Sequence, residues 1–223
     1  MSVSVVIPAW NAQRYLGAAL QGVFAQTTQP LEVIVVDDGS TDQTAAVARA
    51  YPVRLESIAK SGAATARNHG IAIAQGEFVA LLDADDLWLP NKLEFQLGVF
   101  AQQPSLNLVF TAVQQFISPD TPEVALEVHF NSQVHYLPIS SALMARRRVF
   151  EQVGNLPTIQ GGDLMLWLSL AQQHGIGFEM IEQCLTKRRI HKTNMTRILK
   201  TQVQKDYFLV LRQHLKHKRQ TST

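Results

Sequence analysis

Three carboxylates fall within four residues at Asp83-Ala84-Asp85-Asp86. Side chains of one sign set so close repel unless a positive group lies among them. A divalent cation with oxygen ligands answers such a cluster, and it can also neutralise charge that builds on a departing diphosphate. The plainer use of the same residues is a turn with an aspartate N-cap before the helix near Pro90. Other positions carry chemistry of their own. Asp38, in Asp37-Asp38-Gly39-Ser40, can accept a hydrogen bond from a ring N–H such as the imide of uracil or thymine. Trp10 can supply a flat face for the base, a contact of roughly 1–3 kcal/mol. Arg67 stands among small residues, Ala63-Ala64-Thr65-Ala66-Arg67-Asn68, where a guanidinium can come close to base or phosphate. The structural alternatives are a simple turn for Asp37-Asp38-Gly39, core packing for Trp10 and a surface ion pair for Arg67. Asp42 reads as a solvated acid at a helix start.

The elements that would position these groups follow from hydrophobic periodicity. Val3–Ile7 reads as a buried strand and 12–26 as a helix with Tyr15, Leu16, Ala19, Leu20, Val23 and Phe24 on one face. Leu31–Val36 is a β-branched strand. Ser40 with Gln43 forms a capping-box pattern before a helix over Thr44–Ala50. A strand at Val53–Ile58, a helix at Ala64–Ala74 and an apolar strand at Phe78–Leu82 follow. Pro90 suits the first turn of a helix running to about Gln102, and Leu106–Thr111 suits a fifth strand. The βαβαβα order predicts an α/β fold, a central mostly parallel sheet flanked by helices. Ligands on such sheets bind beyond the carboxyl ends of the strands. The groups at those ends are Pro8-Ala9-Trp10-Asn11, Asp37-Asp38 and Asp83–Asp86, all on one edge. Further on the pattern weakens over Val113–Tyr136. Short helices are expected at Arg147–Val153 and Leu164–His174, a strand at Phe178–Ile181 and a C-terminal helix at Thr196–His217.

The chain has 223 residues, 46% apolar and 17% charged, with a net charge of +2. That is a globular composition. One cysteine, Cys184, excludes an intramolecular disulfide and argues against a Cys-based zinc site. No apolar run approaches the roughly 20 residues of a membrane-spanning helix, and Met1-Ser2-Val3-Ser4 lacks the basic stretch of a signal peptide. A cytoplasmic location is expected. Charge is unevenly spread: residues 1–186 hold 9 basic and 17 acidic side chains, and residues 187–223 hold 11 basic and one acidic, Asp206. The acidic body suits a metal site and argues against nucleic acid. The basic segment suits an anionic membrane face or a solvated helix.

Four segments in order resemble glycosyltransferase family 2, the inverting enzymes of GT-A fold. They are Val5–Asn11, Val33–Asp42, Gly62–Asn68 with its Ala66-Arg67-Asn68, and Leu81–Leu93. A later segment, Ser140–Gly154, resembles the stretch that leads to the family's catalytic acid. The resemblance covers about residues 1–194. It implies a nucleotide-sugar-binding half at 1–112, an acceptor half of the same domain at 113–194 and a basic tail at 195–223.

By that resemblance Pro8, Ala9 and Trp10 line the base and ribose, with Asn11 among the donor-binding residues. Asp38 reads the base and Arg67 supports the nucleotide. Asp83 and Asp85 contact the donor, and one of Asp85 and Asp86 is the ligand of Mg²⁺ or Mn²⁺, both standing as candidates. His191, in Arg189-Ile190-His191, contacts the diphosphate or the metal. Asp163 is the catalytic base. The family's Glu before that acid is Gly162 here, its following Arg is Ser169, and a frequent Asn is Lys60. The implied activity is inverting transfer from a UDP- or dTDP-sugar to a hydroxyl of a saccharide or lipid-linked acceptor, in polysaccharide, lipopolysaccharide or glycolipid synthesis. The departures at Gly162 and Ser169 keep a nucleotide-sugar binder without turnover as the alternative.

Overall fold

Strand β1, Val3–Ala9, shows how the layers arise. Val5 and Ile7 enter the core on one face and Val6 enters it on the other, as alternation along a strand requires. A helical layer covers each face, so the strand is buried throughout and carries one polar side chain, Ser4. The computed structural model describes residues 1–121, 132–159, 162–192 and 194. After β1 come α1 (Leu16–Phe24), β2 (Glu32–Asp38), α2 (Thr44–Arg49), β3 (Arg54–Ile58), α3 (Ala63–Ile73) and β4 (Phe78–Leu81). Then follow β5 (Leu87–Trp88), α4 (Lys92–Gln102), β6 (Leu108–Ile117) and β7 (Val134–His135). A 3-10 turn at Ser140–Ala142 leads into β8 (Leu143–Arg146), α5 (Arg147–Val153), α6 (Asp163–Gln173) and β9 (Phe178–Ile190).

Among the described residues these strands make one nine-stranded sheet in the order β3-β2-β1-β4-β8-β6-β9-β5, with β7 on β6. The first four strands are parallel. Directions then mix: β8 runs antiparallel to both β4 and β6, and β9 runs parallel to β6. The strands expected at 106–111 and 178–181 extend to Ile117 and Ile190 because they pair with each other to that point. Gln114, Gln115, Lys187 and Arg188 on the extension are only half buried, so its sequence lacks the apolar signal.

Two expected helix starts are corrected. Pro90 lies outside α4, which begins at Lys92, and its carbonyl accepts the Thr27 N–H at 2.7 Å. The Ser40–Gln43 capping box does not form: Ser40 Oγ accepts from Asn11 N at 2.9 Å, and Asp42 Oδ1 takes the Thr44 N–H at 2.9 Å. Asp42 also accepts from Gln13 N at 3.2 Å, so it braces two loops instead of standing in solvent. The helix expected at 196–217 lies outside the described residues.

Helix α3 seats directly on β1 because residue 70 is glycine; a methyl group there would run into Val6 Cγ1. That close seating carries Arg67 to the sheet's functional edge. Beneath the edge lies Lys92, 0% exposed. Its Nζ donates to Gln96 Oε1 at 2.7 Å and sits 4.0 Å from the Trp88 ring. Burial pushes its pKa well below the ordinary 10.5. The folded chain then binds fewer protons here than the unfolded chain, so stability rises with pH from the depressed folded pKa up to about 10.5. Thermal melts should therefore show wild type gaining on Lys92→Met as pH rises from 7 toward 10. A constant difference would refute a buried lysine that resists charging.

Candidate active site

The carboxyl ends of β1, β2 and β4 lie side by side, with Ala9 in register with Asp37. The Asp83–Asp86 segment leaves β4 as a tight turn, closed by Asp86 N donating to Asp83 O at 3.1 Å. The turn sends its three carboxylates in three directions, and each finds a different partner. Asp83 Oδ1 accepts from Arg67 Nη2 at 2.6 Å. Asp85 Oδ2 lies 3.0 Å from His191 Nε2 and accepts from Asn194 Nδ2 at 3.2 Å. Asp86 turns inward, where Oδ2 accepts from Ser141 Oγ at 2.6 Å and Oδ1 from Arg189 N at 2.9 Å.

Repulsion within the cluster is thus relieved by protein partners. Among the described residues no group of three or more His, Cys, Asp and Glu side chains is arranged to hold a metal ion. Of the two candidate metal ligands carried from the sequence, Asp86 is 3% exposed and both of its oxygens are engaged inside the fold. Burial pushes its pKa well above the usual carboxylate range, and the charges of Asp85 and then Asp83 push it further. Asp85 keeps a side chain 30% exposed, beside His191. Asp85→Asn should weaken Mn²⁺ binding more than Asp86→Asn, because losing a partner outside the ligand shell costs about 10–100-fold and losing a ligand costs more. Mn²⁺ titration of both variants checks this; equal losses would keep Asp86 among the ligands.

Arg67 is not a surface ion pair. It is 7% exposed. Its two Nη atoms bridge Asp83 at 2.6 Å and Asp163 at 2.7 Å, and among the described residues its buried Nε has no partner. Burial works against the cation, but the charges of Asp83 and then Asp163 outweigh it and raise its pKa. Asp163 is the first residue of α6 and does not cap it; Gly162 holds the N-cap position. The guanidinium therefore ties the start of α6 to the end of β4.

Asp38 is 1% exposed. It accepts from Lys60 Nζ at 2.6 Å, Ser61 N at 2.7 Å, Ser61 Oγ at 3.1 Å and Gly62 N at 2.9 Å. Burial alone would raise its pKa; the bonds from Lys60, Ser61 and Gly62 outweigh burial and lower it. Trp10 is 46% exposed, so it is not core packing. Pro8 and Ala9 are buried within β1, and Ala9 joins the core on the α1 face; neither presents an exposed side chain. Asn11 adopts φ +47°, a left-handed conformation that asparagine tolerates. Its Oδ1 accepts the Thr41 N–H at 2.9 Å, which clips the β1 loop to the β2 loop.

His191 is 4% exposed and packs its ring 4.5 Å from that of Tyr15. Three supporting residues had no role assigned from the sequence. Ser141, fully buried, accepts from Asp83 N at 3.1 Å and donates to Asp86, while its carbonyl accepts from Trp88 Nε1 at 2.7 Å. Arg189 Nε donates to the Asp85 carbonyl at 2.8 Å. Asn194 Oδ1 takes the His191 N–H at 2.6 Å. Arg189 stood in the Arg189-Ile190-His191 stretch, and Asn194 left a local trace as a short polar side chain three residues after His191 able to bond the backbone.

A parallel β3-β2-β1-β4 unit continued by mixed strands, with acids at its carboxyl edge, is the GT-A glycosyltransferase fold. Staphylococcus aureus TarS in complex with UDP-GlcNAc matches it at TM-score 0.73 and 17% identity, over 88% of this chain and 61% of that one. The mannosyltransferase PcManGT of Pyrobaculum calidifontis, in complex with GDP-Man and Mn²⁺, matches at TM-score 0.64 and 22% identity, over 88% and 59%. The chain belongs to glycosyl transferase family 2, whose family model matches residues 4–166. A putative teichuronic acid biosynthesis glycosyltransferase of Bacillus subtilis, TuaG, is 33% identical over 84% of this chain and 79% of its own length. An uncharacterised glycosyltransferase of Rickettsia typhi is 29% identical over 87% of this chain, which spans 65% of that relative.

Proposed function

We propose that this chain transfers a sugar from a nucleotide-diphospho-sugar to an acceptor hydroxyl with inversion, in the synthesis of a cell-surface polysaccharide. The observation that carries the proposal is the Asp83–Arg67–Asp163 bridge. It sets a carboxylate from the acceptor half beside the edge that holds Asp38, Trp10 and Asp85. Family membership and the likeness to TuaG support the class of product. A UDP- or dTDP-sugar is favoured as donor because Asp38 is an acceptor suited to an imide N–H.

Arg67 holds Asp163 Oδ2, and a carboxylate retains lone pairs on its other oxygen. Asp163 Oδ1 accepts the proton of the acceptor hydroxyl as that oxygen bonds to the anomeric carbon. The bond from the anomeric carbon to the diphosphate oxygen breaks on the opposite face, its electron pair leaves with the nucleoside diphosphate, and the configuration inverts. The donor set at Asp85 and His191 fits a divalent ion that takes one or two protein ligands and completes its shell with phosphate oxygens and water. Mg²⁺ or Mn²⁺ bound there would supply neutralisation of the leaving diphosphate. The basic segment 187–223 suits contact with an anionic membrane face carrying a lipid-linked acceptor. Among the described residues no helix is long and apolar enough to cross a membrane.

A thermal-shift screen of UDP-, dTDP- and GDP-sugars with Mn²⁺ or with EDTA tests the reading, since a bound donor stabilises by mass action. The expected result is a metal-dependent shift with a uridine or thymidine donor, followed by release of the nucleoside diphosphate when acceptor is added. A donor shift without any turnover would instead favour the non-catalytic binder that Gly162 and Ser169 suggest. No shift with any donor would remove the proposal.

A further inference from the structure

We propose that Lys60 is an internal occupant of the nucleobase position: in the ligand-free protein its ammonium holds the two contacts, Asp38 and the Trp10 face, that the base of the donor must take over. The inference rests on the reading that Asp38 and Trp10 receive the base. Asp38 is 1% exposed and already accepts from four donors. An ionised carboxylate offers roughly four lone-pair sites, so a base N–H can bind only where a donor leaves.

Three of those donors belong to Ser61 and Gly62, two of them backbone N–H groups immediately before α3. Withdrawing them would disturb the entry to that helix. The fourth is Lys60 Nζ at 2.6 Å, on a side chain 44% exposed and a stem with four rotatable bonds. Its backbone is not free to follow. Gly39, at φ +68°, packs so closely that a Cβ there would stand 2.9 Å from Lys60 N. The stem is therefore anchored beside Asp38 while its tip can swing.

The ammonium also stands 3.9 Å from the centroid of the Trp10 ring. Stacked groups lie about 3.5–4.0 Å apart, so a base on that face needs the volume the ammonium fills. Donor binding then exchanges a cation for a neutral N–H at Asp38. The measured affinity is reduced by the fraction of molecules in which Lys60 has left.

The test uses the full chain with Lys60→Met and Lys60→Arg. Calorimetry measures whichever of UDP, dTDP and GDP the wild type binds in Mn²⁺, its nucleoside, and pyrophosphate with Mn²⁺. Lys60→Met should bind nucleotide and nucleoside about 5- to 20-fold tighter, the combined size of an exposed ion pair and a cation–π contact. Pyrophosphate should bind no tighter, and Lys60→Arg should behave as wild type. The sign is diagnostic, because removing a lysine that binds phosphate weakens an anionic ligand. Asp38 keeps three donors in Lys60→Met, so the fold should hold, with a fall in melting temperature of only a few degrees. Equal or weaker nucleoside binding by Lys60→Met overturns the inference while leaving the donor reading intact. Wild type and variant both failing to bind any nucleotide overturns the base position itself, and the inference with it.

Discussion

Asp163→Asn should lower the turnover of sugar transfer by about 10²–10⁴-fold, the usual contribution of general-base catalysis. The amide keeps the shape and can still accept from Arg67 Nη1, which now bonds Asp163 Oδ2 at 2.7 Å. What it loses is a basic oxygen for the acceptor's proton. Donor affinity should change little, because Asp38, Trp10 and Asp85 are untouched. Steady-state kinetics with saturating donor, beside calorimetric donor binding, separates the two effects. Wild-type turnover in this variant would mean that another group takes the proton.

Removing the bridge itself should do more. In Arg67→Met the cation between Asp83 and Asp163 disappears, and two carboxylates that shared it face each other. Breaking a buried pair in this way costs about 3–5 kcal/mol. The lower end applies, because the Asp83 side chain is 35% exposed while that of Asp163 is 13% exposed. The melting temperature should fall by several degrees and turnover should fall at least as far as in Asp163→Asn. Arg67→Lys should recover part of the stability and little of the turnover, since a point charge cannot fork to two carboxylates. Thermal melts and single-turnover rates on the three proteins check this. A Met variant with wild-type stability and rate would leave the bridge without a function.

These expectations depend on contacts of very different reach. Strands β1, β2 and β4 were legible because their signal is local: apolar runs of four to seven residues followed at once by polar groups. Placing Trp10, Asp38 and Asp83–Asp86 on one edge needed only the rule that parallel strands end together. The extensions of β6 and β9 were not legible, since polar residues such as Gln115 and Arg188 stay in register there, held by pairing between strands instead of by burial. Ser40 was misread because an N-cap is judged from neighbours, whereas its hydroxyl bonds Asn11, 29 residues away.

The residue types at the edge were set along the chain by short-range pattern and motif order. Where each carboxylate points was decided by partners far off in the sequence. Asp86 faces inward because Ser141 and Arg189, 55 and 103 residues away, offer it hydrogen bonds. Asp163 reaches the site because Arg67, 96 residues earlier, binds it. A buried carboxylate must find its hydrogen bonds wherever the packed fold supplies them, and periodicity along a chain holds no record of groups that meet only after the sheet has closed.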